Sequence, residues 1–481
     1  MRDGSCQEVW ESGLTSRCLT GVRRGEMGAS GMLAGLLSDL ENDVIVGGPG
    51  DAQMGKRSIY TDPLIYQLEM EHLFEGCWVY AAHESQLSKP HDYLTISVGR
   101  QPVVLTRDEK DQIRAFLNVC SHRGSRVVRA RKGNQRVHTC MFHGWCYNSA
   151  GELINISDEE DGAYPAQFDC TERGLIPVRC ESYRGFYWVS LNPKVQLLSD
   201  YLNGVKLFID LMVDQSPTGE LEVLPGETAY TYAGNWKLQG ENGLDGYHVK
   251  STHGNYIMTV GRRARGLSAN DTKTLELASF FKGGESGFFA FEQGHGLIYG
   301  PYPNYSDRPN FEFRDQYLEH YGKVRTQWMT ERMRNLLIMP NVLLMDQMST
   351  QIRVFRPLAV DRTEVTTYCI APKGESAQAR ERRLRQYEDF FNASGMATPD
   401  DLAEFRNCQI GFEAKGAAYS DLSRGQQRWQ TGSHALGQEL GVQARMSSTN
   451  IGDEGLYVSI IEEWARRMRN IVADRLNGGE Q

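Results

Sequence analysis

Cysteine is scarce in this chain: ten in 481 residues, scattered and without the spacing of a disulfide framework. That excludes a small bridged scaffold and points to a reducing, cytoplasmic setting. Long apolar runs are missing too. The longest candidate, Leu336 to Met345, is split by Pro340 and falls well short of the ~20 residues that cross a bilayer. No signal peptide opens the chain, so no membrane role is expected. Positive charge is not in excess: 52 Lys and Arg face 61 Asp and Glu, a net charge of -9, which repels nucleic acid and anionic membrane. One basic run, Arg123 to Arg136, is local and carries no interleaved aromatic residue to stack on bases, so no nucleic acid is expected as a partner. No internal repeat is present.

The chain is long enough to bury a large core and to form two domains. Residues 1–57 read as an N-terminal extension, partly disordered. The first ~30 are rich in Gly, Ser and Arg with no apolar period, and Met32 opens the more structured MLAGLLSDLEND. A helix start follows at Asp62-Pro63, ahead of LIYQLEMEHLF at helical spacing. Residues 77–199 then read as an all-β domain: LTISVG, QPVVLT and IRAFLNV are separated by turn residues, Gly133-Asn134 predicts a hairpin turn, and FYWVSLN closes the set. Beyond residue 200 the texture is mixed. GFFAFEQ, TQIRVFRPL and EVTTYCIAP read as strands, and RERRLRQYEDFF as a helix. In a terminal helix Tyr457, Ile460, Ile461, Trp464, Met468, Ile471 and Val472 form one core-packing stripe.

The densest chemistry lies in CSHRGSRVVRARKGNQRVHTCMFHGW, residues 120–145. Cys120-x-His122 and Cys140-x-x-His143 each offer a thiolate and an imidazole, with 17 residues between the pairs. Structural zinc more often takes paired cysteines and then a histidine pair. A mixed pair on each of two loops suits a two-iron, two-sulfide Rieske cluster, with both thiolates on one iron and both imidazoles on the other. Gly124 and Gly144 follow the pairs closely, as loops need where backbone N–H groups approach sulfide. Trp145 and Phe142 are expected to shield the cluster, with Arg123 a fixed charge nearby.

A second constellation is ENGLDGYHVKSTH, residues 241–253, in which Glu241, Asp245 and His248 share one helical stripe. His253 lies five residues past His248, roughly 140° round an ideal helix, so the two converge only if the helix ends or bulges. Gly246 and Ser251-Thr252 allow such a break. Two histidines and a carboxylate with open positions make the facial triad of a mononuclear Fe(II) site. The residues alone leave the carboxylate open between Asp400 and Asp401, which also suit a helix start behind Thr398 as N-cap, and Asp346 in a strand-like run.

The cluster motif followed by a two-histidine motif resembles the large (alpha) subunits of Rieske non-haem iron aromatic-ring-hydroxylating dioxygenases. FEGCWVYAAHESQL, GNWKLQGENGLDGYHV and RQYEDFFNASGMATPDDLAEF are similar to the benzoate/anthranilate/2-halobenzoate 1,2-dioxygenase branch. The resemblance implies an α+β fold: a small all-β Rieske domain, 77–199, inserted in a larger catalytic domain of residues 58–76 and 200–481, whose antiparallel sheet is flanked by helices. It implies that Cys120, His122, Cys140 and His143 hold the [2Fe–2S] cluster, and that His248, His253 and Asp401 bind Fe(II). Asp245 is then the bridging acid from His143 to His248 of the partner subunit, and Asn242 and Phe391 are pocket residues. Gly254 departs from the branch, which usually has an aromatic residue there, and residues 254 to about 334 are the least alike.

The implied function is a terminal oxygenase component that adds both atoms of O2 to an aromatic carboxylate, giving a cis-diol or, after loss of an ortho amino or halo group, a catechol. The implied partners are a small beta subunit and an NADH-dependent reductase, in an α3β3 or α3 assembly. Arg262, Arg263, Arg265 and Arg353 are the arginines available to a substrate carboxylate. The alternatives are a Rieske monooxygenase or demethylase on another aromatic substrate, an electron-transfer protein and a zinc-dependent interaction module.

Overall fold

The computed structural model describes residues 29–47, 50–158, 162–165, 167–259, 285–302, 305–347 and 349–478. The disorder expected at the N-terminus falls on residues 1–28, outside the described residues. From Ala29 the chain is helical to Asn42, and this helix packs along the C-terminal helix Gly455–Gly478. Leu36 and Leu40 enter the core between them. The helix Pro63–Glu69 begins as the sequence predicts: the Asp62 carboxylate accepts from the Leu64 and Ile65 N–H groups, and Pro63 occupies the first turn, where no N–H is needed.

The β-rich stretch forms a seven-stranded antiparallel sheet running from Val79–His83 at one edge to Lys132–Asn134 at the other. A three-stranded sheet, Val137–Thr139, Cys146–Asn148 and Leu153–Asn155, stands beside it. Gly133-Asn134, predicted as a hairpin turn, instead lies in the edge strand paired with Asp92 and Tyr93. The chain turns at residues 135–136 and crosses to the small sheet, so strand pairing overrides the local Gly-Asn turn preference. The sheet edge is not isolated from the rest of the molecule: Trp78, Tyr80, Phe186 and Trp188 are buried in the core of the following domain.

That domain is built on a ten-stranded antiparallel sheet whose centre is a meander through Gly296–Pro301, Arg332–Ile338, Val342–Asp346, Thr350–Ala359 and Arg362–Pro372. Period-2 alternation divides its side chains. Leu336, Leu344 and Ile352 enter a core with the helices Lys206–Val213 and Arg314–Thr330. Leu337, Leu343 and Phe355 point the other way, to the helices Trp236–Gly243 and Gly455–Gly478. The apolar stripe read along the terminal helix is what it buries there. Asn335 and Arg353 share that second face by parity, so the polar residues beneath the helix layer are placed by register. Among the described residues no helix is long and apolar enough to cross a membrane.

Candidate metal centres

The two Cys/His loops have the same backbone. The Gly124 N–H donates to the Cys120 carbonyl at 3.0 Å and the Gly144 N–H to the Cys140 carbonyl at 2.9 Å. Each cysteine N–H donates in turn to the carbonyl five residues on, Ser125 or Trp145, both at 2.8 Å. Both glycines are left-handed, at φ 73° and 71°, a conformation costly to any residue with a Cβ. Cys120 and Cys140 are buried free thiols, while His122 is exposed and His143 half-buried. Their rings are 4.5 Å apart, and His122 stacks on the buried Trp145 at 5.0 Å. Phe142, expected as a shield, is 53% exposed: it caps His143 at 3.8 Å from the solvent side.

Two thiols inside and two imidazoles outside fit a two-iron cluster with different ligands on its two irons. They do not fit tetrahedral zinc, whose donors would lie within about 4 Å of one another. Among the described residues, the set of three or more His, Cys, Asp or Glu donors within 4.8 Å of one another is a different one: His248, His253 and Asp401.

Those three meet because the helix carrying Glu241 stops early. It ends at Gly243, whose carbonyl accepts from Asn335 Nδ2 at 2.9 Å. The continuous stripe expected through Glu241, Asp245 and His248 is therefore broken. Glu241 turns away to accept from the Tyr60 hydroxyl at 2.6 Å, and burial pushes its carboxyl up to about 7. Asp245 Oδ1 accepts from the Tyr247 N–H at 2.6 Å and the His248 N–H at 3.2 Å, a local turn that competes with helix. Gly246 sits so close to Ile451 that a Cβ would come within 2.7 Å of its side chain. A single helical turn, Val249–Thr252, then separates His248 from His253.

The Nε2 atoms of His248 and His253 are 3.2 Å apart, and Asp401 Oδ1 lies 3.5 and 3.3 Å from them. Cis ligands about 2.1 Å from one metal ion sit about 3 Å apart, so this triangle has the size to hold one metal ion on a single face. The outward nitrogens face carboxylates: His248 Nδ1 lies 3.2 Å from Asp245 Oδ2, and His253 Nδ1 lies 4.0 Å from Asp400 Oδ2. The first contact has the distance of an ion pair without the angle of a hydrogen bond. Burial would raise the Asp245 carboxyl, but His248 and the two backbone N–H groups outweigh it and hold it low. Asn242 Nδ2 donates to Asp401 Oδ1 at 3.1 Å. Asp401 comes from the first turn of the helix Thr398–Phe412. Thr398 does not cap it: its hydroxyl donates to the Phe391 carbonyl at 3.0 Å. Asp346 is elsewhere, on a strand between the guanidinium groups of Arg308 and Arg334.

The triangle opens on a cavity walled by apolar groups, among them Met333, Met345, Phe390 and Phe391. Its polar wall includes Asn335, Gln347 and Arg353. Arg262, Arg263 and Arg265 lie outside the described residues. Asp400, which the sequence offered beside Asp401 as a candidate metal ligand, instead faces the outward nitrogen of His253. Sequence reasoning missed Asn335 and Gln347, which only strand register brings to the site.

Residues 77–168 match the Rieske [2Fe-2S] domain, and residues 222–478 match the catalytic domain of the ring hydroxylating alpha subunit. The chain is 45% identical over 428 residues to the anthranilate 1,2-dioxygenase large subunit of Acinetobacter baylyi, covering 88% of this chain and 90% of that one. It is 46% identical over 415 residues to the toluate 1,2-dioxygenase subunit alpha of Pseudomonas putida, with 86% and 90% covered. The fold is similar to that of naphthalene 1,2-dioxygenase from Rhodococcus sp., with a TM-score of 0.76, 24% identity, and 91% of this chain and 98% of that chain covered.

Proposed function

The chain belongs to the Rieske ring-hydroxylating oxygenase alpha subunits, and from that membership we propose that it is the terminal oxygenase of an aromatic-acid 1,2-dioxygenase. The carrying observation is the triangle of His248, His253 and Asp401, open on an apolar cavity in a chain that also bears two matched Cys/His loops. The substrate class is an aromatic carboxylate of the benzoate, anthranilate or ortho-halobenzoate type, supported by the names of the similar proteins. The product is a cis-diol, or a catechol after loss of an ortho group. Those same names, dioxygenases both, do not favour the monooxygenase alternative.

When bound, the cluster supplies electrons singly and the mononuclear iron activates dioxygen. The residues do the rest. Cys120, Cys140, His122 and His143 would hold the cluster, the thiols from the buried side and the imidazoles from the exposed side of the loops. His248, His253 and Asp401 would hold Fe(II) beside the cavity. Asp245 fixes the orientation of the His248 ring from behind, as carboxylates do at other metal-bound histidines. Asn242 holds Asp401 through its amide, and Phe390 and Phe391 exclude water and face the ring of the substrate. Met141, 69% exposed, and Phe142 form an apolar tip beside His143. That tip supports docking of the cluster of one copy against Asp245 of the next, in an α3 or α3β3 assembly with a small beta subunit and an NADH-dependent reductase. The test is turnover of benzoate under 18O2 with reductase and NADH. The reading requires both labelled atoms in one diol, and a single labelled oxygen would reject it.

A further inference from the structure

Four arginines are buried among the described residues: Arg308, Arg334, Arg353 and Arg383. Three of them sit on carboxylates. Arg308 and Arg334 share Asp346, and Arg383 Nη2 is 2.7 Å from Glu375. Arg353 is 2% exposed, its Nε and Nη2 meet no acceptor, and no carboxylate pairs with it among the described residues. Its guanidinium lies over the Phe391 ring, 5.3 Å from the centroid. It projects from the strand Thr350–Ala359, between Leu343 and Thr367 on the neighbouring strands, and lines the cavity that holds His248, His253 and Asp401.

An arginine cannot shed its proton to escape burial. A buried charge without a partner is among the costliest arrangements in a folded chain, and it persists where a ligand completes it. Both carboxylates that line the cavity are engaged: Asp401 is turned to the two histidines and to Asn242, and Asp245 to His248 and the Tyr247 N–H. The missing anion therefore enters from outside. A guanidinium whose Nε and Nη2 meet no acceptor has donors to give, and a carboxylate is the anion whose two oxygens match them.

We propose that Arg353 binds the carboxylate of the substrate and so sets which ring carbons face the His248–His253–Asp401 triangle. The assignment rests on the aromatic-acid reading above. Phe391 beneath the guanidinium holds its plane, and the apolar walls take the ring. Arg353 thus acts as a specificity-determining residue, and its unpaired state without substrate is the cost of selecting an anion.

The test compares wild type, Arg353→Met and Arg353→Lys as holoenzymes, with benzoate and toluene in competition. The preference for benzoate in kcat/KM should collapse about 100-fold in Arg353→Met and partly survive in Arg353→Lys. Calorimetric titration of benzoate into protein stripped of mononuclear iron should show the same order of binding. The thermal midpoint of substrate-free Arg353→Met should be unchanged or raised, since an unpaired buried charge is gone. A wild-type preference for benzoate that survives in Arg353→Met would overturn the assignment and leave the aromatic-acid reading standing. An Arg353→Met chain that fails to fold would also overturn it, by making Arg353 a structural residue. A wild type that prefers toluene would overturn the reading, and the assignment with it.

Discussion

His248 Nε2 and His253 Nε2 lie 3.2 Å apart, although five residues of ideal helix would turn their side chains roughly 140° from each other. Between them the single turn Val249–Thr252 ends at His253, whose backbone leaves the helical region at φ -97° and ψ 25°, and Asp401, 148 residues past His253, completes the triangle from the helix Thr398–Phe412. Asp401→Ala should therefore lose the mononuclear iron alone. The ratio of iron to acid-labile sulfide should fall from about 3:2 to about 2:2, with the reduced-Rieske EPR signal unchanged. A variant that keeps its third iron would place the mononuclear site elsewhere.

Asp346 behaves differently because it is an ion-pair hub. It is 2% exposed and binds Arg308, Arg334 and, at 2.7 Å, Gln215 Nε2. Asp346→Asn leaves two buried guanidinium groups without their anion, a loss of about 3–5 kcal/mol. Urea unfolding should register that loss, while iron per folded molecule stays at the wild-type value.

The two cluster glycines differ in what surrounds them. A Cβ at Gly144 would lie 2.0 Å from Ser157 Oγ, whereas one at Gly124 meets nothing within 4 Å. Gly124→Ala pays only for its left-handed backbone, about 1–2 kcal/mol. Gly144→Ala adds a clash that displaces the His143 loop. Sulfide content and the visible Rieske spectrum should be nearly intact in the first variant and clearly reduced in the second. Equal loss in both would show that backbone conformation alone governs these loops.

His295 ties stability to pH. It is fully buried, its Nδ1 accepts from the Met339 N–H at 3.0 Å, and its Nε2 donates to the Tyr201 carbonyl at 2.9 Å. Burial pushes its pKa down to about 3, below the ordinary 6.5. The unfolded chain takes up the proton first, so this contribution is complete above pH 6.5 and is lost as pH falls from 6.5 towards 3. The loss amounts to as much as roughly 5 kcal/mol. Unfolding free energy measured between pH 4 and 8 should fall less steeply on the acid side for His295→Gln than for wild type. Parallel curves would remove His295 from the linkage.

Much of the molecule was legible because it is written in local or short-range patterns. Two Cys/His pairs, each with a glycine close behind, specify two like loops, since only glycine takes their left-handed turn without strain. Asp62-Pro63 specifies a helix start, and the stripe from Tyr457 to Val472 specifies a buried helix. The same local logic failed where a distant partner intervened. Gly133-Asn134 became an edge strand because Asp92 and Tyr93 offered pairing. The stripe from Glu241 to His248 broke because Tyr60, Asn335 and Ile451 each hold one part of it.

By itself, then, the sequence determined the chemistry on offer: which residue types stand close together and which elements they sit on. Tertiary structure decided what spacing cannot encode. It set Asp401 against the histidines and committed Asp346 to two arginines. It also left Arg353 buried without a carboxylate among the described residues. Each of those outcomes depends on which strands pair and in what register, because a shift of one residue would carry Arg353 and Asn335 to the opposite face of the sheet.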